Sequence, residues 1–229
     1  ALRQDTFTYK YVILLSILSS RIMETLIKQT AYVFVRFTMT FIYFFLKLLP
    51  TQNKVSFHSR LVEEEPLDFR LVREEIGRRD STCRVVLIAK RIPETIQGRI
   101  GYIFTLLNSM YHIATSKACV IDSYIIPISI LNHKKNLIVV QIPHGMGAIK
   151  KVGYQVLGMK EGSDEIVAKE MKMHRNYNYV IANGPEAGQW YVEGYQINPS
   201  IIKLTGMPRL DYLRATKNKI NPKTKQMCP

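Results

Sequence analysis

From Lys54 to Thr205, short apolar runs rich in β-branched residues alternate with longer amphipathic segments, and this alternation leaves few folds open. The runs are 54–59 (KVSFHS), 84–89 (RVVLIA), 118–123 (ACVIDS), 137–142 (LIVVQI), 177–182 (YNYVIA) and 201–205 (IIKLT). The most apolar of them are apolar at consecutive positions rather than at every second one, as in strands covered on both faces of a parallel sheet. The segments between them predict helices at 66–79, 98–114, 163–174 and 185–194. The first would turn Leu67, Phe69, Leu71, Val72 and Ile76 inward. The third would have Ser163 as its N-cap and Asp164 and Glu165 in its first turn, where the helix dipole favours acids. Strand and helix in alternation specify an α/β fold, a right-handed, doubly wound, Rossmann-like parallel sheet.

The run 137–142 is followed by Pro143, His144, Gly145, Met146 and Gly147. Proline lacks the N–H that a strand ladder needs, so a turn is expected at the strand's carboxyl edge, where open α/β sheets hold their ligands. A helix is expected from Ala148, with Lys150 and Lys151 in its first turn beside backbone N–H groups that favour anions. A titratable imidazole, two glycines that permit close backbone approach and two cations suit a phosphorylated substrate. Asp122 ends the third run at the same edge and would orient His144 or a substrate hydroxyl, or else cap the next turn. Ser59 and Arg60 follow the first run there. Arg209 and Asp211, after the sixth run, suggest a mutual or interdomain salt link. His58 reads as packing within the first strand, His112, His133 and His174 show no partner pattern, and Trp190 reads as core or domain interface.

The chain of 229 residues carries a net charge of +14, concentrated at its ends. Residues 1–50 hold six Lys/Arg against two acids, and 214–229 hold five against none. Without zinc-ligand spacing, an RNP-like aromatic motif or a continuous basic helix face, this charge does not point to nucleic acid. The apolar stretches 9–22 and 31–49 point instead to an anionic membrane surface. The second is long enough to cross a bilayer, but Arg36 sits inside it. One or two helices lying on the membrane are expected, with Lys10, Arg21, Lys28, Arg36 and Lys47 reaching headgroups; a helical hairpin packed on the domain and a true span are the alternatives. Three widely spaced cysteines suit a reducing cytoplasm, with no disulfide and no metal site. The organisation expected is 1–50 membrane-associated, 51–213 a Rossmann-like domain and 214–229 a basic tail or linker, nothing after Leu213 reading as packed structure.

Five stretches, LLPTQNKVSFHSR (48–60), ATSKACVIDSY (114–124), IPHGMGAIKKVGYQ (142–155), MHRNYNYVIANG (173–184) and TGMPRLDYL (205–213), occur in register over nearly everything from 48 to 213. Together they resemble the CDP-glycerol glycerophosphotransferase family, the teichoic acid polymerases and primases of Gram-positive bacteria. The resemblance implies a two-domain GT-B enzyme whose N-terminal domain takes the acceptor and supplies a histidine matched by His144. A C-terminal domain would bind CDP-glycerol and supply a second histidine. Where the family usually has Trp before the histidine, this chain has Pro143, and it ends where the second domain should begin, so it reads as the N-terminal half. The implied reaction transfers glycerol phosphate from CDP-glycerol to a polyprenyl-diphosphate-linked acceptor at the cytoplasmic face of the membrane. His144 would be the general base, and Gly145, Gly147, Lys150 and Lys151 would hold phosphate, with no cofactor. An inert acceptor-binding module and half of a nucleotide-sugar glycosyltransferase remain as other readings. Glycerol against ribitol phosphate, and primase against polymerase, stay open.

Overall fold

The computed structural model describes residues 2–93, 95–145, 151–159 and 162–217. Six strands, β1 (Lys54–Ser59), β2 (Arg84–Ala89), β3 (Ala118–Ile121), β4 (Ile138–Gln141), β5 (Tyr179–Ile181) and β6 (Ile202–Lys203), form one parallel sheet in the order β2-β1-β3-β4-β5-β6. The helices are α1 (Leu2–Leu46), α2 (Leu67–Arg79), α3 (Ile96–Thr115), α4 (Ile126–Ile130), α5 (Glu165–Glu170), α6 (Pro185–Tyr195) and α7 (Pro208–Lys217). The α/β class and parallel sheet match the sequence expectation, and β2 keeps the expected bounds.

Side chains alternate between the faces of a strand, so β3 sends Cys119 and Ile121 into one layer and Val120 into the other. The larger layer joins these to Met110 and Ile113 of α3, Ile128 of α4, Ala168 of α5, and Tyr191 and Tyr195 of α6. The smaller layer centres on Phe57 and Phe69 of α2, whose rings meet edge to face at 5.1 Å. Behind α2 lies α7, opened by Pro208 in its first turn. The helix continues after Leu213 as far as Lys217, with Arg214 and Ala215 exposed. Arg209 pairs with Asp68 rather than Asp211: its backbone N donates to Asp68 Oδ1 at 2.9 Å, its Nε to Oδ2 at 2.6 Å, and its Nη2 also faces Oδ2. Asp68 is buried on α2, so this pair fastens α7 to the sheet's second face; Asp211 faces Arg214 at 4.0 Å.

Neither glycine nor proline occurs between Leu2 and Leu46, and the two apolar stretches join through their polar middle into one continuous helix. Met39 and Tyr43 are buried against the larger layer, and the Tyr43 hydroxyl meets His133 Nδ1 at 2.9 Å, giving that histidine the partner its sequence did not reveal. Arg36, expected at lipid headgroups, turns inward. Its Nη1 donates to the Glu170 carbonyl at 3.0 Å and lies 3.7 Å from the Glu170 carboxylate, at the negative end of α5. Glu24 and Lys28 lie within electrostatic reach of Asp164 at the other end of α5, so α1 and α5 run side by side in the same direction. The outer side of α1 leaves Phe34, Phe37, Phe41, Phe44 and Leu48, just past its end, exposed. By length and composition, Leu18–Leu46 could cross a membrane.

Candidate active site

The sheet order reverses between β1 and β3, and the chain leaving those strands diverges to open a crevice at their carboxyl ends. Ser59 and Arg60 end one side, Asp122 and Ser123 the other, and the turn after β4 brings His144 and Gly145 alongside. A cleft of about 220 Å³ has Arg60, Asp122, His144 and Lys151 in its walls. Four residues singled out from sequence are thus gathered in one place. Ser59 sits just beneath, buried, and its hydroxyl is a hydrogen-bond partner of Asp122. Gly147, Lys150 and the expected helix start at Ala148 lie outside the described residues. Lys151 and Val152 are not helical, Val152 being extended at φ −137° and ψ 159°, and the chain then makes a single 3₁₀ turn, Gly153–Val156. Lys151 therefore lines the cleft from an extended segment rather than a first helical turn. Gly153 has φ +57°, and a Cβ there would lie 2.1 Å from the Gly194 carbonyl, so only glycine lets this turn sit on α6.

Asp122 is 5% exposed and accepts from Ser123 Oγ at 2.8 Å. Burial raises its pKa above the usual carboxylate value, while the Ser59 and Ser123 hydroxyls and the charge of His144 act in the opposite sense. Arg60 lies over the Tyr124 ring at 5.0 Å. Among the described residues neither Arg60 nor Lys151 forms an ion pair. His144 is the one exposed histidine of the five. His58 is held between Ser56 at 2.9 Å and Ser109 at 2.8 Å, and burial pushes its pKa down to about 3. His112 Nδ1 meets the Lys54 ammonium at 3.2 Å, and His133 is committed to Tyr43 and the Ile128 carbonyl.

The far wall holds His174, which was not singled out from sequence. The helix expected over 163–174 is capped by Asp164, whose Oδ1 accepts from Ile166 N at 2.8 Å and Val167 N at 3.2 Å, not by Ser163. It stops at Glu170, because Lys172, His174 and Asn176 take left-handed φ values of 47°, 60° and 70°. The loop is tied by residues distant in sequence. Tyr124 OH donates to the Met171 carbonyl at 2.8 Å, Tyr154 OH to the Met173 carbonyl at 3.1 Å, and Asn176 Nδ2 to the carbonyls of Ile128, Ser129 and Leu131. The His174 ring stacks on Tyr195 at 3.9 Å and 20°, with Nδ1 3.0 Å from Tyr177 OH. Burial, followed by the charge of Arg60, pushes its pKa down to about 3, so it is neutral at physiological pH. The short polar residues at 174 and 176, types that tolerate left-handed backbone, were the available signal.

Comparison with known proteins places these features in context. The family model for CDP-Glycerol:Poly(glycerophosphate) glycerophosphotransferase matches residues 40–227. The teichoic acid ribitol-phosphate primase of Bacillus spizizenii is 31% identical over 166 residues, covering 72% of this chain and 42% of its own length. The teichoic acid poly(ribitol-phosphate) polymerase of that species is 32% identical over 173 residues, covering 75% and 27%. The teichoic acid glycerol-phosphate primase of Bacillus subtilis is 25% identical over 117 residues, covering 51% and 31%. The chain spans less than half the length of each. Among solved structures, the wall teichoic acid polymerase TagF superposes with a TM-score of 0.58 at 12% identity, over 86% of this chain and 50% of that one. At that identity the likeness is one of fold.

Proposed function

Because the chain belongs to the CDP-glycerol:poly(glycerophosphate) glycerophosphotransferase family, we propose that it is the acceptor-side half of a transferase in teichoic acid synthesis. The acceptor hydroxyl enters the cleft, His144 takes its proton, and the freed oxygen bonds to the β-phosphorus of CDP-glycerol. The bond from that phosphorus to its bridging oxygen breaks, and CMP leaves with the electron pair. His144, as the one surface histidine, placed at the crevice beside Asp122, is the observation that carries this reading. Asp122 orients the imidazole, and Arg60 and Lys151 offset phosphate charge electrostatically. Donor contacts come from a nucleotide-binding half outside this chain, since the chain covers about half of TagF and less of its curated relatives. The exposed phenylalanine side of α1 rests on the cytoplasmic face of an anionic membrane, where a lipid-linked acceptor is within reach. The organisation into 1–50, 51–213 and 214–229 stands as part of this proposal, with α7 crossing the last boundary.

The test is CMP release from CDP-glycerol with a lipid-linked glycerophosphate acceptor, using a protein that carries both halves. His144→Ala is expected to lower the rate at least about 10²-fold while leaving the thermal midpoint unchanged. A folded variant that keeps its rate overturns the role given to His144, and turnover by the 229-residue chain alone overturns the placing of the donor site outside it. Ribitol phosphate is a second reading, favoured by 31% and 32% identity to ribitol-phosphate enzymes against 25% to a glycerol-phosphate primase. Faster transfer from CDP-ribitol than from CDP-glycerol would select it.

A further inference from the structure

A right-handed crossover lies on one face of a parallel sheet when it steps to one side, and on the other face when it steps to the other. In the order β2-β1-β3-β4-β5-β6 the step from β1 to β2 goes one way, and its helix is α2. The steps that end at β3, β4, β5 and β6 all go the other way, and they put α3, α4, α5 and α6 into the larger layer. No crossover of this sheet therefore reaches the second face beside β4, β5 and β6. Cover there must come from chain outside the crossovers, and α7, the first such chain, packs on α2 instead.

The residues on that part of the face are apolar and open. Alternation places Ile138 and Val140 of β4, and Tyr179 and Ile181 of β5, opposite to Val139 and Val180 of the larger layer. Ile138 is 44% exposed and Tyr179 39%, while Val140 and Ile181 are half-buried. Parallel sheets are ordinarily covered on both faces. Lys203 of β6 lies over the Tyr179 ring at 5.2 Å and, among the described residues, forms no ion pair.

We propose that this face seats a helix of the donor half, apolar along the side that meets Ile138 and Tyr179 and carrying an acid toward Lys203. The proposal rests on the two-halved reading above and names a surface through which the halves are joined. Three observations favour that occupant. The last described helix, α7, already brings the chain to this face of the sheet. The chain spans 42% and 27% of two curated relatives, so their remaining length is ample for a further helix. The exposed phenylalanines belong to α1, which packs on the larger layer, so a bilayer resting on them is on the far side of the sheet.

The test is hydroxyl-radical footprinting of Tyr179, read by peptide mass, in the unaltered 229-residue chain and in a protein that carries both halves. Oxidation of Tyr179 is expected to be at least about tenfold slower in the two-halved protein. Equal rates overturn the proposal. Slow oxidation that the 229-residue chain shows on concentration identifies a second copy as the occupant, and slow oxidation that needs phosphatidylglycerol vesicles identifies a membrane; either overturns it. Ile138→Asp is expected to lower the thermal midpoint of the two-halved protein by more than that of the 229-residue chain, and equal lowering in two folded variants overturns the proposal as well. Should the variant not fold, the footprint of the unaltered proteins decides alone. Protection of Tyr179 in a two-halved protein that releases no CMP would leave this surface standing and overturn the transferase reading, and CMP release with Tyr179 still open would do the reverse.

Discussion

His144 stands exposed on a turn that a proline cuts off from its strand, whereas His174, across the same cleft, sits in a loop whose carbonyls and rings are tied by tyrosines and an asparagine. The difference separates a side chain placed to meet a ligand from one that builds the wall beside it. A general base must meet solvent and change charge in each cycle. A wall residue needs only partners that hold it in place, as Tyr177 and Tyr195 hold the His174 ring. Burial, which holds the His174 pKa near 3, disables its imidazole for the task that exposure leaves open to His144.

The comparison is broken most directly by His144→Ala, for which the at least 10²-fold loss of CMP release without a stability change is the largest effect expected. A matching loss of thermal stability would mean that the exposed turn is structural after all. On the other wall the expectation reverses. Asn176→Ala removes donors to three carbonyls at a left-handed φ of 70° and should cost about 2–3 kcal/mol in urea unfolding. A neutral result would show that the loop is not held by these bonds. Acid sharpens the contrast. His58 and His174 have folded pKa values near 3, below the ordinary value near 6.5, so the unfolded chain takes up protons first. Their stabilisation is complete above about pH 6.5 and is lost as pH falls toward 3, by about 1.4 kcal/mol per unit for each histidine. Denaturation followed against pH should show this slope, and His174→Asn should reduce it. The smallest effect is expected for Asp164→Ala, which removes the cap of the helix leading into the buried loop, at about 1 kcal/mol.

What was legible in the sequence follows the range of the forces involved. The run RVVLIA gives β2 with its bounds unchanged, because strand formation there depends on local apolar content. The crevice residues Asp122, His144, Arg60 and Lys151 were found because strand ends share an edge whatever the details of packing. The early end of α5 was missed, since the loop that replaces its last turns is stabilised by Tyr124 and Tyr154, whose distance in sequence hides their contact. Arg36 was assigned to lipid by its own chemistry, and only Glu170, far along the chain, draws it inward. His174 went unnoticed for the same reason: its ring is defined by Tyr177 and Tyr195, which no spacing rule connects.

The single helix α1 has a mechanical consequence. It lies along α5 from the level of Asp164, near the cleft, to its tie at Glu170, and the turns before Glu24 continue for about 33 Å beyond. A continuous helix of that length is a lever arm with its pivot at Arg36. A few degrees of rotation about that pivot would move the first turns by several ångströms.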